Sequence, residues 1–198
     1  MYIKEECVST QVIEKSKFIT YLEYCENEEE YKEYLKLLKK KHYDATHVCS
    51  AFVGKNTRRS SDDGEPSGTA GVPMLSCLDK KGMENTAVFV VRYFGGIKLG
   101  AGGLIRAYSS SVSKAIEEAN TVEDKVYNQY EITLSYELAN KIDYVLNASC
   151  LYVESEYSDV VKYTFLCNDE SVLEKIKEKT SGKIPVFITT KAIQISVK

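Results

Sequence analysis

Apolar positions recur along this chain at two spacings, and the switches between them mark out its elements. In "CVSTQVIE" and "KFITYLEYC" the β-branched and aromatic residues predict two strands. The period then changes. Over "ENEEEYKEYLKLLKKKH", Tyr31, Tyr34, Leu35 and Leu38 fall at helical spacing, glutamates fill the first turn and lysines the last, and Asn27 stands where an N-cap is needed. A third strand, "THVCSAFVG", leads into a polar loop, "KNTRRSSDDGEPSG". A short helix over "AGVPMLSCLDKK" follows, with Pro73 near its first turn, where a missing N–H costs little. "TAVFVVRYF" predicts a fourth, nearly continuous apolar strand, and "GGLIRAYSSSVSKAIEEAN" a long helix with Leu104, Tyr108, Val112, Ala115 and Ile116 on its apolar face.

Around "TVEDK" the pattern restarts, which places a boundary between a first domain, 1–122, and a second, 126–198. From Val126 the order is strand "VYNQYEITLS", helix "YELANKIDYVLNAS", strands "CLYVESEYS" and "VVKYTFLC", helix "DESVLEKIKEKTSG" and strand "PVFITTKAIQISV". That β-α-β-β-α-β order predicts a ferredoxin-like split βαβ. The fold class expected is α+β in two domains.

A composition of 43% hydrophobic and 28% charged residues is that of a globular protein and excludes a disordered chain. The longest apolar runs fall short of the roughly 18 to 20 residues that span a bilayer. "MYIKEECVSTQ" lacks the pattern of a secretory signal. Six cysteines with no CxxC pair suit reduced thiols better than a disulfide framework, so a cytoplasmic location is expected. The net charge of −3 argues against a generally basic nucleic-acid binder. Its distribution changes that picture: residues 1–122 carry 17 cations and 17 anions, residues 123–198 carry 9 and 12, and no acidic residue lies between Glu84 and Glu117.

Inside that acid-free stretch lies "VVRYFGGIKLGAGGLIRAYSSS", with Gly95, Gly96, Gly100, Gly102 and Gly103 surrounded by Arg92, Lys98 and Arg106. A strand, a glycine-rich loop and a helix start form the geometry in which backbone N–H groups hold a phosphate or carboxylate. The spacing from Gly95 to Gly100 imitates a P-loop, but Ala101 and Gly102 replace its lysine and hydroxyl residue, and no dinucleotide GxGxxG is present. The competing reading is a structural turn whose glycines permit tight packing. Arg92, on a buried strand, then needs a carboxylate partner. Arg106, in the first turns of a helix, is disfavoured by the dipole unless an anion is near.

In "RRSSDDGEPSGTAG", Arg58 and Arg59 precede Asp62, Asp63 and Glu65. Clustered carboxylates suit Mg²⁺, or they pair with Arg92 and Arg106 within the protein. Asp62 reads as part of a solvated turn at Asp63-Gly64, which leaves Asp63 and Glu65 as the candidate acidic pair. His47 and Cys49 alternate on one strand, but two residues do not make a zinc site. No metal ligand set and no Ser/His/Asp or Cys/His nucleophile pattern is recognisable, so the reading leans away from an enzyme.

With "KSKFI", "THVCSAFVG", "DDGEPSGTAGVPML" and "VVRYFGGIKLGAGGLIRAYSSSV" in view, the chain resembles the YigZ/Impact family over essentially its whole length. The resemblance implies a first domain similar to the second domain of a small-subunit ribosomal protein, an α+β sandwich shared with the GHMP kinases. The second would be similar to a C-terminal domain of elongation factor G. It also implies a cytoplasmic role linked to translation. Asp63, Glu65, Thr69, Arg92, Tyr93, Gly95, Gly96, Lys98, Gly100, Gly102, Gly103 and Arg106 match the family pattern, with Arg58, Arg59 and His47 as supporting candidates. The leading expectation is that the loop binds a phosphate-bearing partner, which is RNA, the ribosome or a translation factor. Two alternatives stand beside it: an enzyme with a small phosphorylated or carboxylated ligand and possible Mg²⁺, and a protein-interaction module.

Overall fold

The structure is a computed structural model and describes residues 1–182 and 186–197. The chain is α+β and divides into two compact units, Met1–Glu123 and Asp124–Val197. The first unit contains β1 (Tyr2–Ile3), β2 (Cys7–Ile13), β3 (Ser16–Tyr24), α1 (Glu28–Lys41), β4 (His47–Val53), β5 (Arg58–Ser61), α2 (Gly71–Lys80), β6 (Thr86–Tyr93) and α3 (Gly100–Glu118). Five of these strands form an antiparallel sheet in the order β2-β3-β6-β4-β5.

Strand β6 is central, and its side chains alternate between two cores. Ala87, Phe89 and Val91 pack with Tyr21, Tyr31, Leu38 and Phe52 on the α1 side. Val88 and Val90 pack with Phe18, Leu22, Met74, Leu78, Tyr108 and Val112 on the side of α2 and α3. Burial on both faces is why the strand reads as a continuous apolar run, each such side chain contributing about 1.5–3 kcal/mol. Arg92 breaks the run on the α2/α3 side. It pairs across the ladder with Phe18 on one strand and His47 on the other.

Helix α1 starts as its sequence predicts: the Asn27 side chain accepts from the backbone N–H groups of Glu29 and Glu30, both at 3.0 Å. Three differences from the sequence reading stand out. Part of the expected polar loop is strand β5, which pairs Arg58 with Val53 and Ser61 with Ser50. Its backbone supplies the ladder, and its side chains, on an exposed edge, have no reason to alternate. Helix α3 begins at Gly100 rather than Gly102, so three of the glycines belong to its first turn. Strand β7 (Thr121–Leu134) starts at Thr121 rather than Val126, so it runs through "TVEDK", and its first residues pair with β1, Val122 with Tyr2 and Thr121 with Ile3.

The second unit continues from β7 through α4 (Tyr136–Ser149), β8 (Tyr152–Tyr157), β9 (Val161–Cys167), α5 (Glu170–Lys179) and β10 (Phe187–Val197), a βαββαβ order. Strand β9 lies between β7 and β8, antiparallel to both, and β10 pairs with β7. Tyr130, Ile132 and Leu134 of β7 and Tyr163 and Phe165 of β9 face Ile142, Leu146, Val172 and Ile176 of the two helices. The last strand was expected from Pro185, which lies outside the described residues.

Candidate anion-binding site

Helix α3 begins without a cap. Leu99 occupies the N-cap position and makes no side-chain cap hydrogen bond, and no acidic residue lies in the first turn. A helix start in this state leaves backbone donors and a partial positive charge facing outward. Two hollows adjoin it. One, of about 290 Å³, is lined by Glu65, Pro66, Arg92, Phe94, Lys98, Leu99, Gly100, Ala101 and Leu104. The other, of about 470 Å³, is lined by Ile13, Glu14, Ile97, Lys98, Leu99, Gly103, Arg106, Ala107 and Ser110. Lys98 and Leu99 border both.

Beneath the first hollow lies a buried polar network. Arg92 Nη1 donates to Glu65 Oε1 at 2.6 Å, the two side chains being 6% and 3% exposed. The same Oε1 accepts from the Tyr108 hydroxyl at 2.8 Å. Arg92 Nη2 reaches Ser16 Oγ at 3.4 Å, and the guanidinium lies 5.5 Å from the ring centres of both Phe18 and Phe94. Cys49 Sγ donates to the Asp62 carbonyl at 3.0 Å and approaches the Tyr108 hydroxyl at 3.3 Å. Burial pushes the Tyr108 phenol far above its ordinary range, with Cys49 and Glu65 adding to the effect, so it remains a donor. Burial likewise pushes the Cys49 thiol up to about 12.

The neighbouring carboxylates serve separate tasks. Asp62, expected in a solvated turn, instead accepts from the backbone N–H groups of Gly68 at 2.8 Å, Ala70 at 3.0 Å and Gly71 at 2.8 Å, at the start of α2. Desolvation raises its pKa, but these three bonds outweigh it and hold the carboxyl below its ordinary value. Asp63 binds Lys39 Nζ at 2.5 Å and the Val48 N–H at 2.6 Å. It sits at positive φ with Gly64 beside it, as the turn requires. Asp62, Asp63 and Glu65 therefore do not converge as Mg²⁺ ligands, and no cluster of three His, Cys, Asp or Glu among the described residues could hold a metal ion.

Of the residues singled out from the sequence, the structure gathers Lys98, Gly100, Gly102, Gly103 and Arg106 at or beside the start of α3. Lys98 and Arg106 are exposed, and neither forms an ion pair among the described residues. Gly96, exposed at φ +85°, precedes them. Arg92 is committed to Glu65, and the Gly95 N–H to Ser16 Oγ at 3.2 Å, so neither is free to meet an anion. The reason for glycine at 95 is contact with the β2–β3 turn: a Cβ there would lie 2.0 Å from the Lys15 carbonyl carbon.

The supporting candidates lie elsewhere. Arg58 pairs with Asp79 and Arg59 with Glu28. Thr69 is buried and donates to the Pro66 carbonyl at 2.6 Å. Tyr93 points to the opposite face of the sheet, where its hydroxyl meets His42 Nδ1 at 2.8 Å. His47 bonds the Asp63 carbonyl through Nδ1 at 2.8 Å and holds Nε2 3.8 Å from Glu65. Sequence reasoning missed Tyr108 as a polar participant, because its spacing marks only the apolar face of α3. The available signal was that a buried tyrosine hydroxyl needs a partner.

Fold and site together define an α+β protein of two compact units, with a glycine-rich turn leading into an uncapped helix over a buried ion pair. The Impact N-terminal domain family matches residues 14–116. The chain is 43% identical over 188 residues to the IMPACT family member YvyE of Bacillus subtilis (strain 168), covering 91% of this chain and 87% of that one. It is 38% identical over 139 residues to the IMPACT family member YigZ of Escherichia coli (strain K12), covering 68% of each. Among solved structures, the crystal structure of a hypothetical protein aligns with a TM-score of 0.61 and 30% identity, over 94% of this chain and 95% of that chain. The chain belongs to the Impact family.

Proposed function

We infer that the first unit binds phosphate groups of RNA at the start of α3, as part of a translation-linked role in the cytoplasm. The observation that carries this reading is the uncapped α3 N-terminus with Lys98 and Arg106 beside it and no acid in its first turn. A cation at a helix start is unfavourable by itself, and an anion on the free N–H groups removes the conflict. Gly100 and Gly102 add no side chain at that start, whereas a Cβ at Gly103 would press on Leu99 Cβ at 3.0 Å. The second unit is read as ferredoxin-like, on its βαββαβ order and the placement of β9 between β7 and β8. The ribosome or a translation factor would be met through the same phosphate-directed surface or through the second unit.

Fluorescence anisotropy with a short single-stranded RNA across a salt series tests this. Phosphate contacts predict a log–log slope of about −1.4 or steeper for two or more phosphates, becoming shallower in Arg106→Ala. Flat anisotropy at every salt concentration overturns the RNA reading.

A further inference from the structure

The sheet of the second unit has one covered face and one open face. Helices α4 and α5 pack on the side of Tyr130, Ile132, Tyr163 and Phe165, so the alternate residues of the same strands point the other way. Ladder pairing sets these in rows: Gln129 and Tyr152 flank Leu166, Glu131 and Glu154 flank Thr164, and Glu156 stands opposite Lys162. A hollow of about 300 Å³ crosses the sheet here, from Ile193 of β10 over Gln129, Thr164 and Leu166 to Tyr152 and Glu154 of β8. Leu166 and Ile193 give it an aliphatic lining, and its β8 rim sets a tyrosine ring, 51% exposed, beside a carboxylate. The charge is one-sided. Lys162 is the one cation in these rows, and Glu131 holds it at 3.0 Å. Glu154 and Glu156 are exposed and form no ion pair among the described residues.

We propose that this face docks an extended, arginine-bearing segment of a partner protein, one arginine entering the hollow and the next residue but one, also a cation, meeting Glu156. An arginine stem suits the aliphatic surface of Leu166 and Ile193, while its planar guanidinium both stacks on a tyrosine ring and pairs with a carboxylate, here Tyr152 and Glu154. The spacing agrees. Glu154 and Glu156 are two residues apart on one strand, roughly 6–7 Å, which is also the distance between alternate side chains of an extended partner. Nucleic acid is the wrong occupant, since its phosphates would meet three carboxylates and one lysine that is already paired. The phosphate reading concerns the first unit, so the two stand or fall separately.

Anisotropy of a fluorescein-labelled octapeptide alternating arginine with serine, added to the full chain at low salt, tests this. Tyr152 and Glu154 are exposed, so Tyr152→Ala and Glu154→Gln spare the core, and each should weaken binding about fivefold or more. Glu174→Gln removes the same charge from an exposed position on α5, which packs on the covered face, and should leave the affinity within about twofold. Equal losses in Glu154→Gln and Glu174→Gln reduce the binding to general attraction by an acidic protein and overturn the docking face, as does an absence of binding by wild type. If a lysine–serine octapeptide binds as tightly as the arginine peptide, the choice of arginine falls. If Tyr152→Ala weakens the binding of single-stranded RNA instead, the face belongs to nucleic acid and the protein partner is overturned.

Discussion

Gly95 lies against Lys15 so closely that a Cβ at residue 95 would come within 2.0 Å of the Lys15 carbonyl carbon and 2.1 Å of its oxygen. The contact is between two stretches of backbone, so it cannot be relieved by moving a side chain. Gly95→Ala should therefore cost at least the ~1–3 kcal/mol of an overpacked core. Urea midpoints of the variant and wild type check it, and an unchanged midpoint would remove the packing explanation.

Gly102 should respond with the opposite sign. It lies in the helix without a positive φ, and apart from the helix's own backbone the atom nearest a Cβ there among the described residues is Arg106 Nη1 at 3.5 Å. Alanine in a helix is favoured over glycine by roughly 0.5–1 kcal/mol, so Gly102→Ala should stabilise the protein by about that much. Weaker RNA binding in this more stable variant would show that the glycine serves ligand approach, whereas stability and affinity rising together would speak against it.

The Glu65–Arg92 pair predicts strong non-additivity. Removing either partner leaves a buried charge uncompensated, at a cost of about 3–5 kcal/mol, whereas replacing both with apolar residues removes the charge altogether. Glu65→Leu and Arg92→Met should each be severely destabilising, and the double variant less so than either. Denaturant unfolding of all four proteins measures this, and additive losses would contradict it.

His42 gives the protein an acid-sensitive point. Its ring lies between the Tyr21 hydroxyl, 2.9 Å from Nε2, and the Tyr93 hydroxyl, 2.8 Å from Nδ1. Burial, then the charge of Lys41, lowers its pKa below the ordinary 6.5. The unfolded chain thus binds the proton first. The stabilising contribution is complete above the unfolded value and is lost as the pH falls through the folded one. Between about pH 7.5 and about pH 5, wild type should lose more stability than His42→Gln. Equal losses would show that His42 does not carry this sensitivity.

Cys25 and Cys49 should resist alkylation. Burial pushes both thiols up to about 12, so almost no thiolate forms near neutrality. Mass spectrometry after iodoacetamide treatment should find both unmodified in the native protein and labelled in urea. Labelling at native-state rates equal to those in urea would contradict the burial described here.

How far the chain announced this structure depended on whether side chains or only backbone carried the signal. Helix α4 follows its sequence reading from Tyr136 to Ser149, because its apolar period and its flanks agree. Strand β5 was invisible, since Arg58 to Ser61 are an edge whose neighbours provide the pairing. The carboxylate needed by Arg92 was foreseeable from a cation on an apolar strand. That it would be Glu65, with Arg106 left outside, depends on how the turn at Asp63 and Gly64 aims the chain. The glycines showed an unusual backbone without distinguishing close approach, as at Gly95, from positive φ, as at Gly96.

Adjacent residues at the end of β6 go to opposite sides of the sheet: Arg92 to Glu65, Tyr93 to His42. A one-residue slip would exchange the two positions. It would move the guanidinium to the place from which Tyr93 reaches Asp44 and His42, and leave Glu65 facing a phenol. What separates the two registers is thus Glu65 alone: in the slipped sheet its carboxylate would stay buried without its cation, a larger penalty than an apolar pair at the same positions would impose.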